Sequence, residues 1–199
     1  MSTVATAGHM AHEDAHQPTS GKVGIWIFLA SEIMFFAGLI GSYIVLRVAN
    51  PDVFTEGHHH LNIKMAAVNT IILICSSLTM ALAVKAAQHG NSAGVRNFLL
   101  LTAALGTAFC AVKYFEYTAK FDHHIYPSTS IFFSCYFTMT GVHVVHVIGG
   151  ILPMFFMGLL AGGGRFCKPG NTTVELVGLY WHFVDVVWIF LFPMLYLIR

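Results

Sequence analysis

Charge is the scarcest property of this chain: Asp, Glu, Lys and Arg make up only 10% of its 199 residues, against 56% for hydrophobic ones. A soluble domain carries about a quarter of its residues charged, so this composition, with a mean hydropathy of +0.71, excludes that class. No basic patch, phosphate loop or nucleophile elbow occurs, and the net charge is +1, so nucleic-acid binding and soluble enzyme chemistry have no support. The four cysteines, Cys75, Cys110, Cys135 and Cys167, form no C-x-x-C pair. Three of them sit in apolar runs, where a thiol behaves as a small hydrophobe, which argues against a disulfide framework and against a zinc site. The apolar/polar alternation of lipid-facing strands is also missing, and a membrane barrel goes with it.

What the chain has instead is five long, continuous apolar runs, approximately 23–48, 65–87, 95–117, 129–161 and 174–198. Each is long enough to cross a hydrocarbon core of ~30 Å as a helix. The expected fold is therefore all-α: a polytopic membrane protein with one five-helix transmembrane domain over 23–199. Residues 1–22 are polar, carry His9, His12 and His16, and lack the basic n-region of a secretory signal, so they are expected to be a retained tail. A metal role for the tail or for the loop triplet His58-His59-His60 is weighed against simple solvation, the commoner state of histidines in polar segments. Orientation is finely balanced. With alternating helices, Lys22, Lys85, Arg96, Arg165 and Lys168 fall on the N-terminal side and Arg47, Lys64, Lys113, Lys120 and Arg199 on the other; discounting Lys113, within an apolar run, tilts the count toward a cytoplasmic N-terminus.

Ionisable residues inside the runs need a reason, because a charge at bilayer depth costs at least ~2.5 kcal/mol on insertion scales. At 1.5 Å per residue, Glu32 lies roughly 14 Å in from the N-terminal side, His143 and His146 roughly 8 to 12 Å, and His182 and Asp185 roughly 12 and 17 Å. Five ionisable residues from three helices thus share one layer. The i, i+3 spacing puts each pair, His143 with His146 and His182 with Asp185, on one helix face. A hydrogen-bonded polar cluster is expected, with Glu32 protonated or paired to a histidine, and it either relays protons or simply holds the helices together. Lys113 and Glu116, also one turn apart, fall near the far interface, where snorkelling and an aromatic belt account for them as an interfacial pair.

The motifs Ser31-Glu32-Ile33-Met34-Phe35-Phe36, Lys113-Tyr114-Phe115-Glu116, Gly141-x-His143-x-x-His146-Val147 and Tyr180-Trp181-His182-Phe183-Val184-Asp185-Val186-Val187-Trp188, in this order, resemble subunit III of haem-copper terminal oxidases. The match spans nearly all the apolar chain and is to the short five-helix bacterial form, which lacks the first two of seven helices. The resemblance implies a subunit with no catalytic, cofactor or metal site of its own, haem and copper residing in subunits I and II. It also implies packing on subunit I, phospholipid binding in reduced form, support of proton uptake, protection from turnover inactivation, and a bacterial inner membrane with a cytoplasmic N-terminus. Glu32 matches the family's carbodiimide-reactive carboxyl, and His143, His146, His182 and Asp185 match its motif residues. Electrons from cytochrome c or quinol would reach other subunits. A subunit-III-like partner of a nitric oxide reductase remains an alternative. So does a proton-coupled transporter, although five helices do not divide into two matching repeats.

Overall fold

The computed structural model describes residues 20–59, 61–161, 166 and 172–198. The tail histidines, His60, Arg165, Cys167, Lys168 and Arg199 lie outside the described residues. Helices account for nearly all the rest, with no strand among the described residues: α1 (Ser20–Ala49), α2 (Pro51–His59), α3 (Ile63–Gln88), α4 (Ser92–Asp122), α5 (Ile131–Leu160) and α6 (Thr173–Phe192). A π-helical turn, Pro193–Leu197, continues α6. Five of these, α1, α3, α4, α5 and α6 with its π turn, are long and apolar enough to span a membrane, and they coincide with the five apolar runs.

Their ends are set by local chemistry. The side-chain oxygens of Asn62 and Asn91 accept the backbone N–H groups of Met65 and Gly94, capping α3 and α4, and Ser130 caps α5 through Phe133 N–H. Between α3 and α4, Gly90 takes φ +73°, a left-handed conformation that closes the connection within three residues and makes the two helices antiparallel neighbours. At the other end of α6, Pro193 carries no N–H, and the ladder slips to an i→i+5 bond, with Ile198 N–H donating to Pro193 O at 2.9 Å.

Helices α3, α4, α5 and α6 form the packed bundle, and α1 leans on α5 and α6 from outside. Leu29, Phe36 and Tyr43, spaced by seven, form the buried stripe of α1. Its outer face, with Trp26, Ile27, Met34, Val45 and Val48, is exposed. At the bundle centre the Trp181 ring lies over Gly106 and Gly150, where a Cβ would stand 2.8 and 2.7 Å from ring carbons. Its indole N–H donates to Ser76 Oγ at 3.1 Å, and Trp188 N–H to Thr70 Oγ1 at 3.0 Å, so both buried indoles are satisfied.

Several boundaries differ from expectation: α1 begins at Ser20, inside the expected tail, and α4 at Ser92. Helix α4 runs five residues beyond 117, because Lys120 is not a loop charge but pairs with Glu116 one turn back. The stretch between the first two runs is not a solvated loop: it folds as α2, burying Phe54, Gly57 and His58. Phe54 packs edge-on between Tyr43 of α1 and Phe132 of α5, and His58 lies against the Phe132 ring. Solvation therefore describes the exposed His59 but not the buried His58.

Candidate functional site

Glu32 and His146 meet between α1 and α5, with Oε2 of the carboxyl 2.9 Å from Nε2 of the imidazole. The other ring nitrogen, Nδ1, lies 2.9 Å from Val142 O, one turn back on α5. A carbonyl only accepts, so the heavy-atom geometry assigns a hydrogen to Nδ1, and the Nε2–Oε2 contact then holds one proton between two acceptor atoms. Such a pair can pass a proton between carboxyl and imidazole with no backbone movement. Phe36 packs edge-on against the imidazole, and Tyr180 of α6 donates its hydroxyl to His146 O at 2.9 Å, so three helices hold the pair in place.

The other members of the expected cluster stand apart. Three residues of helix leave side chains about 60° apart around the axis, enough for neighbours on one face to enter different surroundings. His143 turns into the bundle, fully buried, stacked on Trp188 with ring centroids 5.0 Å apart and edge-on to Phe109. Neither of its ring nitrogens has a hydrogen-bond partner. His182 meets Ser77 of α3, Nδ1 to Oγ at 2.8 Å. Asp185 is 5% exposed, and neither carboxylate oxygen makes a hydrogen bond of ordinary geometry, although the Ser77 hydroxyl is its polar neighbour. Both residues line a cavity of about 180 Å³ between α3 and α6, with Thr70 and Trp188 on its walls. Of the five residues, only Glu32 and His146 are bonded to one another among the described residues. The single cluster is therefore corrected to one pair, one sealed histidine and one cavity-lining group.

Lys113 and Glu116 bind each other as their spacing suggests, at 2.8 Å, but snorkelling does not describe them. Lys113 is 1% exposed and Glu116 3%, turned into the bundle rather than toward water. Glu116 accepts from Lys113 through Oε2, and from Lys120, Tyr136 and Tyr196 through Oε1, at 2.8 to 3.1 Å. Lys113 also donates to Tyr196 Oη at 2.8 Å. The same end of the molecule is fastened from outside, where Tyr43 donates to Met194 O and Arg47 to Ile198 O. Lys113, Glu116 and Lys120 recur at i, i+3 and i+7, a signal that one helix face carries all three. No such local signal marks Ser77, Tyr136 or Tyr196, which arrive from other helices.

The profile of the family described as Cytochrome c oxidase subunit III matches residues 3–198. The chain belongs to that family. A protein of Corynebacterium diphtheriae named "Cytochrome c oxidase subunit 3" is 40% identical over 187 residues, covering 92% of this chain and 91% of its own length. A Mycobacterium tuberculosis protein named "Probable cytochrome c oxidase subunit 3" is 34% identical over 201 residues, covering 100% of this chain and 99% of its own. The Synechocystis protein "Cytochrome c oxidase subunit 3" is 35% identical over 192 residues, 96% of this chain and 79% of that one. As a subunit III family member with five membrane-spanning helices, the chain is a multi-pass membrane component of a respiratory oxidase complex.

Proposed function

We propose that this chain is the non-catalytic subunit III of a proton-pumping haem-copper oxygen reductase. It packs against subunit I in a bacterial inner membrane with its N-terminus in the cytoplasm, while subunits I and II hold haem and copper. The disposition of the intramembrane histidines carries the reading. His146 has both ring nitrogens engaged, His143 is sealed between Trp188 and Phe109, and His182 is bonded to Ser77. Among the described residues, these three histidines do not form a facing pair of the kind that grips a haem from two sides. The relatives' name, cytochrome c oxidase, favours oxygen over nitric oxide as substrate of the complex, and cytochrome c over quinol as its donor. Phospholipid contacts the half-buried edge of α1 at Glu32, and the Glu32–His146 pair supports proton uptake by subunit I and protects it from turnover inactivation.

The complex captured by a tag on this chain should show haem bands in a reduced-minus-oxidised spectrum, and those bands should stay with the remaining subunits when this chain is stripped away. Haem retained by the stripped chain would make it a cytochrome, and capture without haem would separate it from the oxidase. In the same preparation Glu32→Ala should shorten catalytic lifetime more than it lowers initial oxygen consumption. Unchanged decay over many turnovers would remove Glu32 from the protective role.

A further inference from the structure

Lys113 and Lys120 share a single carboxylate. Both ammonium groups are bonded to Glu116, so this buried group holds two cations against one anion. Aromatic rings line it, with Lys113 Nζ 4.7 Å from the Trp188 ring centroid and Lys120 Nζ 4.9 Å from that of Tyr136. A ring quadrupole attracts a cation but supplies no counter-charge. Lys120 and Glu116 of this group line an open recess of about 530 Å³ between the start of α3 and the end of α4, while Lys113 is buried and is not part of its wall.

The polar lining of this recess is suited to an anion. Lys120, 5% exposed, reaches it with one of three ammonium donors bonded to Glu116. Asn62 spends its side-chain oxygen on the cap of α3, which leaves the amide N–H donors for the rim, beside His123. The first turn of α3, a 26-residue helix, begins there and adds the positive end of its dipole. Glu116 also lines the recess and opposes an anion, but its two oxygens already accept four bonds. Met65, Ala119 and Ile125 provide an apolar wall. Lys120 stands two residues before the end of α4, ~3 Å along the axis, which is headgroup depth in a bilayer.

We propose that this recess binds a phosphate anion, either the headgroup phosphate of a membrane phospholipid or a free phosphate ion, with Lys120 as the charged contact and Asn62 and His123 at the rim. The site lies on α3 and α4, apart from the Glu32–His146 pair of α1 and α5.

The test uses the intact oxidase complex, delipidated in detergent and followed by native mass spectrometry. It is titrated with phosphatidylglycerol, with the diacylglycerol of the same chains, and with inorganic phosphate. Asn62→Asp preserves the capping oxygen while replacing the amide donors with a second carboxylate oxygen, so it alters the rim charge without removing the cap. Lys120→Gln removes the charged contact, and retention of the subunit in the complex is read from the same spectra. The expected result is one fewer bound phosphatidylglycerol, or about tenfold weaker rebinding, in both variants, with no competition from diacylglycerol. Displacement of that lipid by inorganic phosphate at equal affinity would assign the free ion and uphold the phosphate site; indifference to inorganic phosphate would assign the lipid. Unchanged phosphatidylglycerol binding in Asn62→Asp, or equally tight binding of diacylglycerol, would overturn the proposal.

Discussion

Glu32 Oε2 and His146 Nε2 face each other at 2.9 Å, and this bond fixes which way α1 is turned. Glu32 continues the heptad stripe of Leu29, Phe36 and Tyr43, so the carboxyl and the apolar residues of α1 point into the bundle together. Without hydrophobic force between helices in lipid, an outer helix is held by packing and by such polar contacts, each worth about 0.6 to 2 kcal/mol. A double-mutant cycle of Glu32→Ala and His146→Ala should therefore return a coupling energy in that range, read from the unfolding free energy of this chain in detergent micelles. Strictly additive effects would show that the bond contributes nothing to the docking of α1.

Glu116 is the hub of the other end. Removing it as Glu116→Ala leaves two buried ammonium groups without a counter-charge, and breaking a buried ion pair from one side costs about 3 to 5 kcal/mol. The subunit should be lost from the complex on native gels. Replacing Glu116 and Lys113 together by Leu and Met should restore part of the yield, since the double change removes charge of both signs. If the single variant assembled at the wild-type level, the network would be ornamental to the fold.

The five spans, the all-α class and the pairing of Lys113 with Glu116 were legible in the residues, because apolar run length and i, i+3 spacing are local properties. Contacts between helices were not. Shared depth put Glu32, His143, His146, His182 and Asp185 in one layer, yet depth says nothing of rotation, and a 60° difference sends His146 to Glu32 while His143 enters an aromatic slot. Burial of Lys113 also depended on Tyr136 and Tyr196, which come from α5 and the π turn. Helix α2 carries no such local signal, since Gly57 and the histidine triplet have the composition of a loop. Its order comes from Phe54 and Gly57 meeting Phe132, a tertiary contact.

The Trp181 slot gives a steric prediction. Gly106 and Gly150 let α4 and α5 approach the flat face of the indole, and the nearest ring carbons leave no room for a side chain. Gly150→Val should destabilise the subunit by about 1 to 3 kcal/mol through overpacking, measured as lowered thermal stability of the purified complex. A smaller aromatic at the facing position, Trp181→Phe, should recover part of the loss in the double variant. A double variant no better than the single would place the strain elsewhere.

Asp185 gives the opposite expectation from Glu116. Its position one turn after His182 suggests a helix-linking carboxylate, but it makes no ordinary hydrogen bond that a substitution would break, and it faces a cavity instead of a cation. An amide of the same shape removes a potential buried charge and forfeits no ion pair, so Asp185→Asn should assemble fully on native gels. Asp185→Leu should do as well or better, because it replaces an unsatisfied buried polar group, worth about 1 to 3 kcal/mol, with carbon that fills the space beside Ile189. Ser77→Ala serves as the comparison: it removes the hydroxyl that bonds His182 and neighbours Asp185, and leaves the cavity in place. Loss of assembly in Asp185→Asn with retention in Ser77→Ala would mean that the carboxylate is bonded in the complex to a group outside this chain.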